Sequence, residues 1–129
     1  MIRTVLRLQP KDKGGQALVR FYQQELVLER AVSRPGCLGA EIALPRDAEQ
    51  PVLVTAVWES LAAYQGWVND PWRQNSASEL SHLLAEDLPG TASGQIYEVA
   101  HAVVREAVDA PRSTLPGEPI PPAARLPRT

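Results

Sequence analysis

The sequence predicts a single α+β domain of the ferredoxin-like kind, with the split order β-α-β-β-α-β. Three segments alternate apolar and polar residues with a period of two, and a fourth segment of strand length is almost wholly apolar. Segments with helical spacing separate the first strand from the second and the third from the fourth. A chain of 129 residues suits one hydrophobic core better than two. In this order both helical regions cover one face of a four-stranded antiparallel sheet.

The first half of the chain is predicted to contain three strands and one helix. Ile2–Leu8 alternates, and Gln16–Ser33 carries apolar residues near helical spacing. The helix is expected to end before Pro35-Gly36, because proline disfavours the α conformation in the residue before it and glycine permits a sharp reversal. Cys37–Leu44 alternates again, while the apolar run Val52–Trp58 is typical of a central strand covered on both faces.

The second helical region is predicted to be broken in two. Ser60 is a candidate N-cap for a short helix that Asp70-Pro71 would end. Ser76 and Glu79 have the spacing of a capping box, which predicts the start of another helix. That helix is expected to end at Pro89-Gly90.

The last strand is predicted over Gln95–Val104, where the alternation returns. Tyr97 and His101 fall on the same face of it. The domain is expected to span residues 1–106. Residues 107–129 hold half of the chain's twelve prolines and little periodicity, which predicts an extended arm or a disordered tail.

One face of the predicted sheet would still present Val, Leu and Ala side chains after the helices cover the other. An exposed apolar face of that size marks an interaction surface. A second copy packing sheet on sheet is the simplest way to cover it, so we expect a homodimer.

Composition and charge argue against several classes of protein. A formal net charge of −2 gives no basic surface for nucleic acid. No apolar run approaches the roughly 20 residues of a membrane-spanning helix, and no signal-peptide pattern opens the sequence. We therefore expect a cytoplasmic protein without nucleic-acid or membrane partners. The single cysteine, Cys37, is expected to be a buried structural thiol.

Two groups of residues resemble a known family. The first is Val57-Trp58-Glu59-Ser60 followed by Tyr64 and Trp67-Val68-Asn69-Asp70-Pro71, and the second is Pro35-Gly36-Cys37-Leu38-Gly39. Together they resemble the antibiotic biosynthesis monooxygenases of the dimeric α/β-barrel superfamily, over most of residues 1 to 104. The resemblance implies two such domains joined into a dimeric α/β barrel.

The resemblance also implies an activity. Members of this kind deprotonate a phenol, anthrone or hydroquinone and let the electron-rich anion react with O₂, without a flavin or a metal. The sequence has no Gly-rich phosphate loop and no cluster of metal ligands, in agreement with that chemistry. We expect a small polycyclic aromatic intermediate of antibiotic or polyketide biosynthesis as substrate, O₂ as co-substrate, and no cofactor.

Seven residues are candidates for the site. Trp58, Tyr64 and His101 are predicted to be catalytic; Trp67, Trp72, Tyr97 and His82 are predicted to bind substrate; no metal ligand is predicted. By the resemblance Trp58 lines the pocket and stacks on substrate or donates its indole N–H, and Tyr64 hydrogen-bonds a phenolate. A neutral His101 would suit a general base near pH 7. Each aromatic could instead serve packing alone, and each histidine an interface or a solvated surface.

The sequence departs from the family at the residues that stabilise an anion. Val54 stands where a relative has an asparagine, and the helical arginine of that relative corresponds to a position near Ser81 in this chain. Trp67 and Trp72 occupy positions that hold histidines in quinol-oxidising relatives. Alternative functions therefore stay open. They are a cyclase or isomerase that uses His101 without O₂, and a non-catalytic ligand-binding or partner protein. Haem degradation is a weaker alternative, because the proximal histidine of such relatives has no clear counterpart.

Overall fold

The structure, a computed structural model, describes residues 1–86 and 94–105. The chain divides into two units, Met1–Glu98 and Val99–Thr129. All the helices and strands of the described residues belong to the first unit. In the second unit, residues 99–105 form neither helix nor strand. The predicted tail over 107–129 lies outside the described residues.

The first unit contains a four-stranded antiparallel sheet in the order β2-β3-β1-β4. The strands are β1 (Ile2–Leu8), β2 (Cys37–Ala43), β3 (Val52–Trp58) and β4 (Gln95–Glu98). β1 and β3 lie at the centre and pair from Ile2 opposite Trp58 to Leu8 opposite Val52. The predicted ferredoxin-like α+β fold is confirmed.

The helices pack on the sheet face that carries the even-numbered residues of β1 and β3. One core cluster joins Ile2 and Trp58 to helical side chains that include Tyr64 and Trp67. A second cluster joins Leu8 and Val52 to Leu18, Tyr22 and Leu80. The pleat therefore sends alternate residues of the two central strands into the layer between sheet and helices.

Four helices take the place of the three that the sequence predicts. They are α1 (Gln16–Gln24), α2 (Val27–Val32), α3 (Leu61–Val68) and α4 (Pro71–Ser81). The predicted single helix over Gln16–Ser33 is wrong, because Leu26 adopts the left-handed conformation with φ 54° and separates α1 from α2. None of the helices in residues 1–86 or 94–105 has the length and apolar content that crossing a bilayer requires.

The predicted start of the last helix is also wrong. α4 begins at Pro71, and the N-cap is Asp70 rather than Ser76. Proline suits the first helical position because the N–H that it lacks would have no intrahelical partner there. Ser76 lies inside α4 and donates its hydroxyl to the carbonyl of Arg73. The predicted helix end at Pro89-Gly90 lies outside the described residues.

The last strand is shorter than predicted and ends at Glu98 rather than Val104. β4 is an edge strand that pairs only with β1, and Glu98 already lies opposite Ile2, the first residue of β1. The alternation of residues 99–104 thus has no neighbouring strand to continue the ladder, since pairing needs a partner backbone.

Replacing Leu26 with glycine is expected to stabilise the first unit by about 0.5–1 kcal/mol, because glycine adopts the left-handed region without the penalty that a Cβ brings. Leu26 is exposed, so little packing is lost. Urea unfolding measures the change. The matched control is Leu61→Gly at the first residue of α3, where the same substitution at an exposed leucine is expected to destabilise by a similar amount. Equal effects at both positions would contradict the strain at Leu26.

Candidate active site

A cavity lies between the sheet and the helices of the first unit. Its volume is about 760 Å³ when the open solvent space at its mouth is counted. Aromatic rings dominate the helical side, and small or aliphatic residues dominate the sheet side. The aromatic lining residues are Phe21, Tyr22, Trp58, Tyr64, Trp67 and Trp72.

Trp58, at the end of β3, is fully buried and forms one wall of the cavity. Its indole N–H donates to the hydroxyl of Thr4 on the neighbouring strand, with 3.3 Å between nitrogen and oxygen. Its ring lies 5.4 Å from that of Tyr64, tilted by 55°. Trp58 is therefore both a core residue and a cavity wall. Its indole N–H, which the resemblance assigns to substrate binding, donates to Thr4 instead.

Tyr64 reaches the cavity from α3. That helix begins at Ser60, whose side chain accepts a hydrogen bond from the N–H of Ala63, as predicted for an N-cap. Tyr64 is buried, and its hydroxyl oxygen accepts the backbone N–H of Gly94 at 2.7 Å. The Trp58 ring packs against the ring of Tyr64, and the backbone that precedes β4 binds its hydroxyl.

Trp67 and Trp72 form a stacked pair whose ring centroids lie 6.4 Å apart at 25°. Arg30 of α2 lies over the outer ring, with its guanidinium 4.1 Å from the Trp72 centroid. Arg73 lies 5.9 Å from the Trp67 centroid. Guanidinium groups are attracted to the electron-rich faces of indoles, so each of the two tryptophans lies close to a cation.

Asp70 fixes the first turn of α4, which carries Trp72 and Arg73 into the cavity. One carboxylate oxygen accepts the backbone N–H groups of Trp72 and Arg73, at 2.8 and 3.4 Å. The other accepts from the guanidinium of Arg34 at 3.1 Å, in a half-buried ion pair. The Asp70-Pro71 pair thus connects two helices instead of only ending one.

Arg73 is a cavity residue that the sequence reasoning missed. Burial lowers the pKa of its guanidinium, and the nearby phenols of Tyr64 and Tyr22 act in the opposite direction. An arginine keeps its proton even so, which places a positive charge in a largely apolar space. The available signal was its spacing: Arg73 stands four and seven residues before Ala77 and Leu80, at the head of the buried stripe of α4.

Tyr22, on α1, is a second missed residue. It is 5% exposed and lines the cavity. Burial raises the pKa of its phenol to about 12, although the charge of Arg73 works against that rise. Tyr22 therefore stays protonated at neutral pH and can donate a hydrogen bond. In the sequence Tyr22 falls on the apolar side of its helix, which predicts a packing role. Its hydroxyl group was the only sign of a polar role in a site.

The structure brings four of the seven predicted residues into the cavity: Trp58, Tyr64, Trp67 and Trp72. His82 is exposed at the C-terminal end of α4. Tyr97, half-exposed, lies opposite Arg3 in the sheet register, on the face away from the helices. His101 belongs to the second unit, where its side chain is exposed.

Cys37 and the acidic residues form no metal site among residues 1–86 and 94–105, where no group of three or more His, Cys, Asp or Glu side chains converges. Cys37 itself is half-buried, and burial raises the pKa of its thiol, while a hydrogen bond to the Gly39 carbonyl opposes the rise. A raised thiol pKa means less thiolate and lower reactivity.

Removal of the Tyr22 hydroxyl is expected to change how stability depends on pH. An unfolded tyrosine ionises near pH 10, whereas the folded phenol holds its proton to about pH 12, so the free energy of unfolding is unaffected below pH 10 and falls between pH 10 and 12. At pH 11 the loss from this group is about 1 kcal/mol. Urea unfolding at pH 8 and 11 should show that loss in the wild type and not in Tyr22→Phe.

The control for that measurement is Phe21→Leu, which disturbs the neighbouring ring of α1 without removing a titrating group. It should keep the wild-type dependence on pH. An unchanged pH dependence in Tyr22→Phe would show that the phenol is not buried as described.

Comparison with known proteins agrees with the fold. A family model described as antibiotic biosynthesis monooxygenase matches residues 1–75, more than half of the chain. No curated protein sequence matches the chain. A point mutant of MhuD, solved with two manganese protoporphyrin IX molecules bound per active site, is 22% identical with a TM-score of 0.54, over 80% of this chain and 98% of that chain. A structure described as a putative antibiotic biosynthesis monooxygenase from Chloroflexus aurantiacus J-10-fl is 17% identical with a TM-score of 0.51, over 82% and 98%.

Proposed function

Because the chain belongs to the antibiotic biosynthesis monooxygenase family, we propose that it oxidises a polycyclic aromatic phenol, anthrone or hydroquinone with O₂ and without a cofactor. We place that substrate in antibiotic or polyketide biosynthesis. The observation that carries the proposal is the combination of flat aromatic walls with the partly buried guanidinium of Arg73 in a single cavity.

The aromatic walls favour a flat ligand. The stacked Trp67–Trp72 pair and the Trp58–Tyr64 pair both face the same space. Aromatic rings stack offset or meet edge to face, so a planar ring system can contact both pairs at once. The sheet side contributes small side chains such as Ala40 and Ala56, which leave room for a ring edge.

Arg73 supports the anionic chemistry, although Val54 and Ser81 stand at positions where relatives have anion-stabilising residues. The Val54 side chain carries no hydrogen-bond donor and Ser81 is not among the residues that line the cavity, yet α4 delivers the guanidinium of Arg73 into it from a different position. A positive charge has its strongest effect on a developing anion where water is scarce. In this proposal Arg73 holds the substrate anion and Tyr64 donates to its oxygen.

The reaction balances without a redox cofactor. Loss of a proton makes the ring carbon of an anthrone electron-rich, and a C–O bond forms to O₂, which accepts the electrons. Protonation gives a hydroperoxide. Its O–O bond then breaks as the second C–H proton leaves, so that anthrone and O₂ become anthraquinone and water. The residues of the cavity bind, stabilise the anion and exclude water.

Anthrone oxidation is the test of this function. The purified protein should consume one O₂ per anthraquinone formed, with no added flavin or metal. Arg73→Met should lower kcat about 100-fold, in the range seen when one anion-stabilising donor is lost. Tyr64→Phe and Trp58→Phe should also lower the rate. The control is Arg20→Met, which removes an exposed arginine from α1 and should leave kcat unchanged.

Two results would contradict the proposal. One is no turnover across a panel of anthrones and hydroquinones. The other is a product that forms equally well without O₂, which would favour a cyclase or isomerase function for the same cavity.

We also propose that two copies pair through the sheet face opposite the cavity, to form the dimeric barrel that the family resemblance implies. Val5, Leu53 and Val57 lie on that face and are half-buried or buried within one copy. Arg7 and Glu41 lie beside them and are exposed, so the face has charges of both signs around an apolar centre. Such a centre with a polar rim is typical of an interface between subunits.

Sedimentation velocity tests the pairing. The wild type should sediment as a dimer, and Leu53→Glu should shift it towards the monomer by placing a charge in the apolar centre. Leu61→Glu, on an exposed leucine of α3, is the matched control and should remain dimeric. A monomeric wild type at micromolar concentration would contradict the interface.

A further inference from the structure

Gly94 connects the sheet to the cavity through its backbone. Its N–H donates to the hydroxyl oxygen of Tyr64 at 2.7 Å, across 30 positions of sequence. Both residues line the cavity, and Gly94 immediately precedes β4. The bond therefore joins a side chain of α3 to the first backbone group of the edge strand.

The position of this N–H is set by a close approach between two backbones. A Cβ on Gly94 would lie 2.7 Å from the carbonyl oxygen of Val5 and 2.9 Å from its carbonyl carbon. Both neighbours are main-chain atoms of β1, which cannot move aside as a flexible side chain could. Only glycine lets the chain enter β4 along this path, with Gln95 then paired opposite Val5.

The bond decides what the Tyr64 hydroxyl can do. A phenolic oxygen accepts through its lone pairs and donates through its one hydrogen. The Gly94 N–H uses an acceptor site, while the Trp58 ring at 5.4 Å restrains the phenol ring. Accepting an N–H also strengthens the same hydroxyl as a donor, because neighbouring hydrogen bonds polarise one another.

We propose that Gly94 is a positioning residue, whose N–H holds the Tyr64 hydroxyl so that its hydrogen donates to an oxygen of the bound aromatic. The cavity then selects rings that carry a hydroxyl or carbonyl over bare rings of the same shape. This inference rests on the proposed function, because it places an aromatic ligand in the cavity.

A pair of probes that differ by one hydroxyl tests the selection. Calorimetric titration should show that the wild type binds 1-naphthol about tenfold more tightly than naphthalene, as one hydrogen bond to a ligand would give. Tyr64→Phe should remove that preference and leave naphthalene binding unchanged, whereas Gly94→Ala should remove the preference and also disturb the entry to β4. The double variant should lose no more than either single variant, because both act on one bond. Gln65→Ala, exposed on α3, is the control and should keep the preference.

A second variant avoids the steric effect of an added methyl group. Glycolic acid in place of Gly94 replaces the N–H with an ester oxygen and adds no Cβ, and it should lose the preference for 1-naphthol to the same extent. Amide hydrogen exchange provides a measurement without ligand: exchange at Gly94 should be about tenfold faster in Tyr64→Phe.

The outcomes separate the two proposals. A preference for 1-naphthol that is kept when glycolic acid replaces Gly94, additive effects in the double variant, or unchanged exchange at Gly94 in Tyr64→Phe would overturn the positioning role and leave the proposed function standing. A wild type that binds neither probe would instead overturn the aromatic ligand, and the positioning role with it.

Discussion

The indole of Trp58 connects the central strands, one helix and the cavity. It lies opposite Ile2 in the sheet, donates its N–H to Thr4, and packs against Tyr64 of α3. A fully buried tryptophan contributes a large apolar area, and its one polar group is costly unless it has a partner. Thr4 provides that partner, so the ring has one orientation, and the side that faces the helices becomes the fixed wall against which Tyr64 is placed.

The charge in the cavity depends on a second arrangement, at the start of α4. Asp70 binds two N–H groups of that helix and the guanidinium of Arg34, so the first turn is tied to the end of α2. Arg73 is then carried into a space where burial disfavours its charge. The phenols of Tyr64 and Tyr22 act against that effect of burial, so part of the cost is offset within the cavity itself.

Local patterns predicted the sheet well because alternation is itself the geometry of a strand that faces a core. They failed at Leu26, since leucine is a good helix former and nothing in its neighbours indicates a left-handed residue. In the site, the motif around Trp58 predicted four of the aromatic residues that line the cavity. Arg73 was missed because a charge in an apolar stripe suggests a solvated side chain. Tyr97 was expected to bind substrate, but register with Arg3 turns it to the other face.

Three polar side chains of the cavity come from three different helices, whereas the sheet contributes Thr4 and Thr55 within a mainly apolar surface. Tyr22 belongs to α1, Tyr64 to α3 and Arg73 to α4, and both phenols interact with the same guanidinium. A ligand oxygen that satisfies this cluster must therefore lie towards the helices, and its ring must lie along Trp58 and the strands. Trp58 packs against the Tyr64 ring and the Gly94 N–H donates to its hydroxyl, so the sheet fixes the position of one member of this cluster.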